Sequence, residues 1–134
     1  MVANPNRSLI ESVFAALAIG DRQPFAEAMA DDFSWTITGH GPWSGTWRGR
    51  STVRRQLMAP LFAQFADTYR SRATRIICDG DTVVVECRGN VATRAGKRYD
   101  NHYCYVIDMK EGKMCALTEY MDTALTEAVL APPA

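Results

Sequence analysis

The chain has 134 residues, of which 47% are hydrophobic and 22% charged, enough for one domain with a real core. Fifteen basic residues balance fifteen acidic ones, so net charge gives no footprint for a nucleic-acid partner, and no apolar run approaches the ~20 residues that span a bilayer. The opening MVANPNRSLIE lacks a secretory leader's apolar stretch and cleavage site, so the expected compartment is cytoplasmic with no membrane partner.

Ser8 and Glu11 stand at capping-box spacing, and Leu9, Ile10, Val13, Phe14 and Leu17 then follow helical periodicity. Gly20 marks the end of that helix. Asp21 is a cap for a second helix, with Pro24 in its first turn and Phe25 and Met29 inward. DDFSWTIT reads as a short strand. A glycine-rich segment, GHGPWSGTWRG, follows, and Ser51 or Thr52 opens a third helix with Val53, Leu57, Leu61 and Phe65 on its apolar stripe. Pro60 predicts a kink or break near Met58.

From Thr68 the pattern changes to strands. Two flank Asp79-Gly80-Asp81, a third is KRYDNHYCYVIDM, and a fourth, KMCALTEYMDT, follows Lys110-Glu111-Gly112. Helices first and strands after predict an α+β domain over residues 1–134, its core about 8–123 and its APPA tail frayed. The expected architecture is a strongly curved antiparallel sheet wrapped around three N-terminal helices. Such a cone-shaped barrel is hard to fill at its wide end and favours an internal apolar pocket. Arg70, Arg72 and Arg75 read as a solvated strand face. Cys78, Cys87, Cys104 and Cys115 lack CxxC spacing and read as buried free thiols.

Strand alternation sorts the pocket candidates. Tyr99, Asn101, Tyr103, Tyr105 and Ile107 share the better inward face of the third long strand, which sets Asn101 among rings. On the last strand, an inward Leu117 and Met121 bring Glu119 in with them. A carboxylate there is desolvated, its pKa rises, and it can exchange protons near neutrality as a general acid or base. The other reading is a glutamate in solvent or paired with an arginine. His40 is a second candidate proton carrier or simply a loop histidine between two glycines. Trp35 and Ile37 face the core or pocket, and Trp43 and Trp47 are candidates for its mouth. HExxH, GxSxG, P-loop and GxGxxG motifs are absent from the sequence. Two histidines on different elements make no metal set, so neither metal nor cofactor is expected.

The succession AIGDRQPFAEAMADDFSWTI, GTWRGRSTVRRQL, DGDTVVVECRG and NHYCYVIDMKEGKMCALTEYMDT resembles the SnoaL-like branch of the nuclear-transport-factor-2-like superfamily. That superfamily includes ketosteroid isomerases, limonene epoxide hydrolases and scytalone dehydratases. The resemblance implies the curved sheet, homodimerisation through its outer face and a small apolar or aromatic ligand. The isomerases' oxyanion-hole tyrosine falls at Phe14 and their catalytic aspartate at Ile37, so that machinery is missing. The last-strand aspartate of the epoxide hydrolases is similar in position to Glu119, but their arginine and second aspartate fall near Cys87 and Gly89. The scytalone dehydratases' tyrosines, histidines and asparagine have no matching spacing here. What remains is Glu119, with His40, as candidate catalytic residues. Trp35, Ile37, Trp43, Trp47, Asn101, Tyr103, Phe14 and Leu117 are the candidate ligand contacts. The implied functions are acid–base chemistry (isomerisation, cyclisation, dehydration or hydrolysis) on a small cyclic compound, or a non-catalytic ligand-binding or dimerisation module.

Overall fold

The computed structural model describes residues 4–133. Helix α1 (Pro5–Ala18) starts earlier than Ser8. Asn4 accepts from the backbone N–H of Asn6 at 2.9 Å and Arg7 at 3.3 Å, and Pro5 takes the first helical position, where its missing donor is harmless. Ser8 therefore lies inside the helix, its N–H bonded to the Asn4 carbonyl. Asp21 contributes to the start of α2 (Gln23–Ala28) by accepting from Gln23 N at 3.0 Å, with Arg22 as the boundary residue.

β1 (Met29–Ile37) forms a hairpin with β2 (Gly45–Arg48), a strand that the glycine-rich composition hid; Trp35 pairs with Trp47 across it. The next helical stretch does not break at Pro60. α3 (Arg50–Thr52) runs into a π-helical turn, Val53–Met58, and then α4 (Ala59–Phe62). Ala59 N bonds Arg54 O one residue further back than in an α-helix, and Pro60 falls in the first turn of α4, where it has no donor to lose.

β3 (Arg70–Asp79), β4 (Thr82–Asn90), β5 (His102–Lys110) and β6 (Lys113–Met121) form the expected meander. The six strands lie in the order β2-β1-β6-β5-β4-β3, an unclosed curved sheet. One junction departs from the antiparallel expectation: β1 runs parallel to β6. The register shifts between Asp108 and Met109, opposite Met114, so Met114 and Leu117 are both buried while Cys115 is only half-buried. Cys87 is the buried thiol; Cys78, Cys104 and Cys115 are half-buried, and all four are free.

The chain ends in a further helix, α5 (Thr123–Val129), capped by Asp122 through bonds from Ala124 N and Leu125 N. Nor does the tail fray at Ala131. Its carbonyl accepts from Trp43 Nε1 (2.9 Å) and Gln64 Nε2 (3.0 Å), and its N–H donates to Gln64 Oε1 (2.9 Å). The packed elements thus extend beyond 8–123 at both ends. The core lies between α1, α2 and the inner sheet face, with Ile10, Val13, Phe33, Val85, Ile107 and Leu117 essentially inaccessible. Among the described residues no helix is long and apolar enough to cross a membrane.

Candidate functional site

Alternation along three neighbouring strands builds one end of the inner face. Trp35 and Ile37 on β1, Tyr103 and Tyr105 on β5 and Glu119 on β6 point into a common cavity. Leu57, Met58, Leu61 and Phe62 close one side of it, and Thr126 and Leu130 another. The free space is about 560 Å³ with the mouth included. The space is narrow and bounded by rings, which suits a flat ligand better than a bulky one.

Glu119 is 5% exposed. Its Oε1 accepts one hydrogen bond, from Trp35 Nε1 at 3.1 Å. Burial raises its carboxyl from the ordinary 4.5 to about 8, against the smaller lowering influence of the indole donor. At neutral pH the group is therefore mainly a neutral acid, able to give a proton and take one back. The donor is fixed by packing: the Trp35 ring meets Tyr105 edge-on at 6.0 Å and Phe33 at 6.1 Å, and tilts against Phe25 at 5.7 Å. The Glu119 carbonyl accepts from both the N–H and the hydroxyl of Thr38 at 3.1 Å, which ties β6 to the end of β1.

Tyrosines supply the remaining polarity. Tyr103 and Tyr105 stack at 5.4 Å, and Tyr69 reaches the same cavity from the segment before β3. Burial pushes all three phenols above their ordinary range, so they are neutral donors. Tyr99 joins them in the cavity wall, its hydroxyl 2.8 Å from Thr126 Oγ1 and likewise raised by burial. Tyr69 has room because residue 89 is glycine: a Cβ there would lie 3.0 Å from its hydroxyl. Burial likewise pushes the Cys87 thiol up to about 12, leaving it protonated.

The sequence candidates separate into three groups. Glu119, Trp35, Ile37, Trp43 and Tyr103 line the cavity together. Phe14 and Leu117 are buried in the core behind it, Phe14 tilted against Tyr105 at 6.2 Å. Asn101, fully buried, lies behind the phenols. Its amide donates to Tyr99 Oη (3.1 Å), Thr126 Oγ1 (3.1 Å) and the Asp122 carbonyl (3.2 Å), so it joins the segment leading into β5 to α5. Trp47 is half-buried on β2 and outside the lining, and His40 is exposed in the loop. His40 is not a partner of the Glu119 carboxylate, whose donor is Trp35 Nε1. Among the described residues no three His, Cys, Asp or Glu side chains gather as metal ligands.

Sequence reasoning passed over Tyr69, Met58, Phe62, Thr126 and Leu130 as lining residues. Tyr69 precedes its strand, so alternation says nothing of it. Met58 and Phe62 are four apart on one helical face, a signal that was there to use. Thr126 belongs to a helix whose start is signalled by Asp122, and Leu130 directly follows it.

A model of the SnoaL-like domain family matches residues 10–117. No curated protein matches the chain. Among solved structures, an NTF2-like protein from Burkholderia pseudomallei is 21% identical, with a TM-score of 0.80 over 96% of this chain and 100% of that one. TerC, co-crystallised with polyporic acid, is 22% identical, with a TM-score of 0.78 over 94% and 98%. A protein described as a SnoaL-like polyketide cyclase from Jannaschia is 18% identical, with a TM-score of 0.75 over 96% and 94%. These likenesses show a shared fold.

Proposed function

The chain belongs to the SnoaL-like domain family, and on that premise we propose that it is a small-molecule enzyme in which Glu119 is the general acid and base. The observation that carries this reading is a carboxyl 5% exposed among aromatic rings, with an indole N–H as its hydrogen-bond donor. Near neutrality the protonated carboxyl delivers its proton to a carbonyl oxygen or enol carbon of the ligand, or to a hydroxyl that leaves with it as water. The carboxylate so formed takes a proton from a neighbouring C–H or O–H, and the enzyme returns to its starting state. Tautomerisation, ring closure by carbon–carbon addition and dehydration all fit that balance without a cofactor. Tyr69, Tyr103 and Tyr105 hydrogen-bond the ligand's oxygen, and Trp35, Ile37 and Trp43 pack its ring faces.

The substrate class is a small, largely apolar oxygenated ring compound. A relative described as a polyketide cyclase and another co-crystallised with polyporic acid support that class. A panel of hydroxylated aromatic ketones and hydroxyquinones tests it, with wild type compared against Glu119→Gln. The variant should bind its ligand within a few-fold of wild type and lose about 100- to 10,000-fold in turnover, as expected for removal of an acid–base group. Unchanged turnover would sink the assignment.

A second reading, a binder without chemistry, is favoured by the solitude of Glu119: His40 lies outside the cavity lining. It expects ligand binding in the same panel with no turnover by wild type. We further propose a homodimer through the outer sheet face, where Val106 pairs with Thr118 and Cys104 with Tyr120, a ring 49% exposed. Sedimentation at micromolar concentration should give twice the 14.9 kDa chain mass; a monomer counts against it.

A further inference from the structure

Behind the Glu119 cavity lies a second space of about 370 Å³, mouth included, between α1, α2 and the sheet. The two share one partition: Trp35, Met58, Phe62, Tyr69 and Tyr105 line both. The far walls of the second space are Leu17, Phe25 and Ser71, and Arg22 stands at its edge with its guanidinium 4.0 Å over the Phe62 ring.

Ser71 is the anomaly. It is 2% exposed, and among the described residues its hydroxyl is the one buried side-chain N or O atom with no hydrogen-bond partner. The Tyr69 hydroxyl and Cys87 thiol are its polar neighbours, close enough for the serine to temper the rise of both, yet neither meets it at hydrogen-bonding geometry. Its cross-strand partner is Gly89, which offers no side-chain group either. An unpaired buried hydroxyl is costly, and where one persists beside an apolar chamber it calls for a group from outside. Serine is also a poor choice for an inward position on a strand when packing alone decides.

Resting on the reading of the Glu119 cavity as the ligand site, we propose that this second chamber is its far half. It takes the distal, oxygen-bearing ring of an elongated two-ring aromatic ligand, and Ser71 hydrogen-bonds that oxygen. The near ring lies beside Glu119. Met58, half-buried and unbranched, is the part of the partition that swings to let the two spaces join. The Arg22 guanidinium on Phe62 covers the distal edge. The ligand is thereby selected for length as well as flatness, which the narrow first cavity alone cannot do.

Titration calorimetry with three probes tests this: 2-naphthol, 4-hydroxybiphenyl and 4,4′-dihydroxybiphenyl, each against wild type and Ser71→Ala. Wild type should bind the dihydroxy compound about tenfold more tightly than the monohydroxy one, and Ser71→Ala should abolish that difference while leaving 2-naphthol affinity unchanged. The unliganded Ser71→Ala protein should melt at or above the wild-type temperature, since it loses an unpaired polar atom and no bond; a clear fall overturns the claim that the hydroxyl awaits a ligand. If 2-naphthol binds and the second hydroxyl brings no gain, or if Ser71→Ala keeps the gain, the second chamber is refuted and the Glu119 site stands. If none of the three binds, the reading of the Glu119 cavity fails and this inference with it.

Discussion

Among the described residues Trp35 Nε1, at 3.1 Å, is the single donor to the Glu119 carboxylate, and it favours the charged form. Burial opposes it and wins, which is why the group titrates near 8 rather than 4.5. Replacing Trp35 by Phe removes the donor and keeps an aromatic wall. The carboxyl midpoint should then rise further above 8, because desolvation remains and the one stabilising contact is gone. Carboxyl-carbon NMR titration, with the signal assigned through Glu119→Gln, reads this directly; a midpoint that falls would mean that water enters and replaces the indole. The rate should respond in the same sense, its alkaline limb moving upward with the acid's pKa. Glu119 was legible in the sequence because β6 alternates cleanly from Leu117 to Met121. Ser71 was not, since a serine between Arg70 and Arg72 reads equally well as part of a solvated edge.

At the scale of elements, Asn101 decides whether the C-terminal helix belongs to the site. Its Oδ1 accepts from His102 N at 2.7 Å and Asp122 N at 3.3 Å, while its amide reaches Tyr99, Thr126 and the Asp122 carbonyl. Asn101→Ala leaves several of these groups unpaired in the interior and should cost about 2–3 kcal/mol, measured by urea unfolding. Asp122→Ala removes only the α5 cap and should cost about 1 kcal/mol. A loss of similar size in both variants would reduce Asn101 to a local contact. The same residues show where sequence reading stops. Alternation over β5 put Asn101 inward correctly, yet alternation knows nothing of what stands opposite, and the partner was a helix hidden behind a proline-containing tail. Pro60 was legible as a disturbance near Met58 but not in its form: it forbids an ordinary helical bond, and a π-helical turn ending at Met58 absorbs the constraint while Val53 and Leu57 stay in the core. Helix starts failed for a simpler reason, since Asn4-Pro5 and Ser8-Glu11 are both valid caps and only one is used.

For the whole molecule, the buried carboxyl couples folding to pH. Glu119 holds its proton up to about 8 in the folded chain and releases it near 4.5 when unfolded. Between those values the unfolded state binds fewer protons, so stability declines as pH rises. Its contribution is fully present below about pH 4.5 and is lost as pH passes through 8. The total change is on the order of 3–5 kcal/mol, a large part of the margin of a domain this size. Glu119→Gln cannot ionise, and its amide oxygen can still accept from Trp35. Its unfolding free energy should therefore be nearly flat from pH 5 to 9 where that of wild type falls, and the two curves should diverge steadily toward alkaline pH. Urea unfolding at one-unit pH intervals gives both curves. Parallel curves would show that the carboxyl ionises as readily inside the fold as outside it, and with that a proton carried at neutral pH would be gone. Ligand binding should shift the wild-type curve most above pH 8, because a bound hydroxyl that donates to the carboxylate gives the charged form a second donor beside Trp35 Nε1.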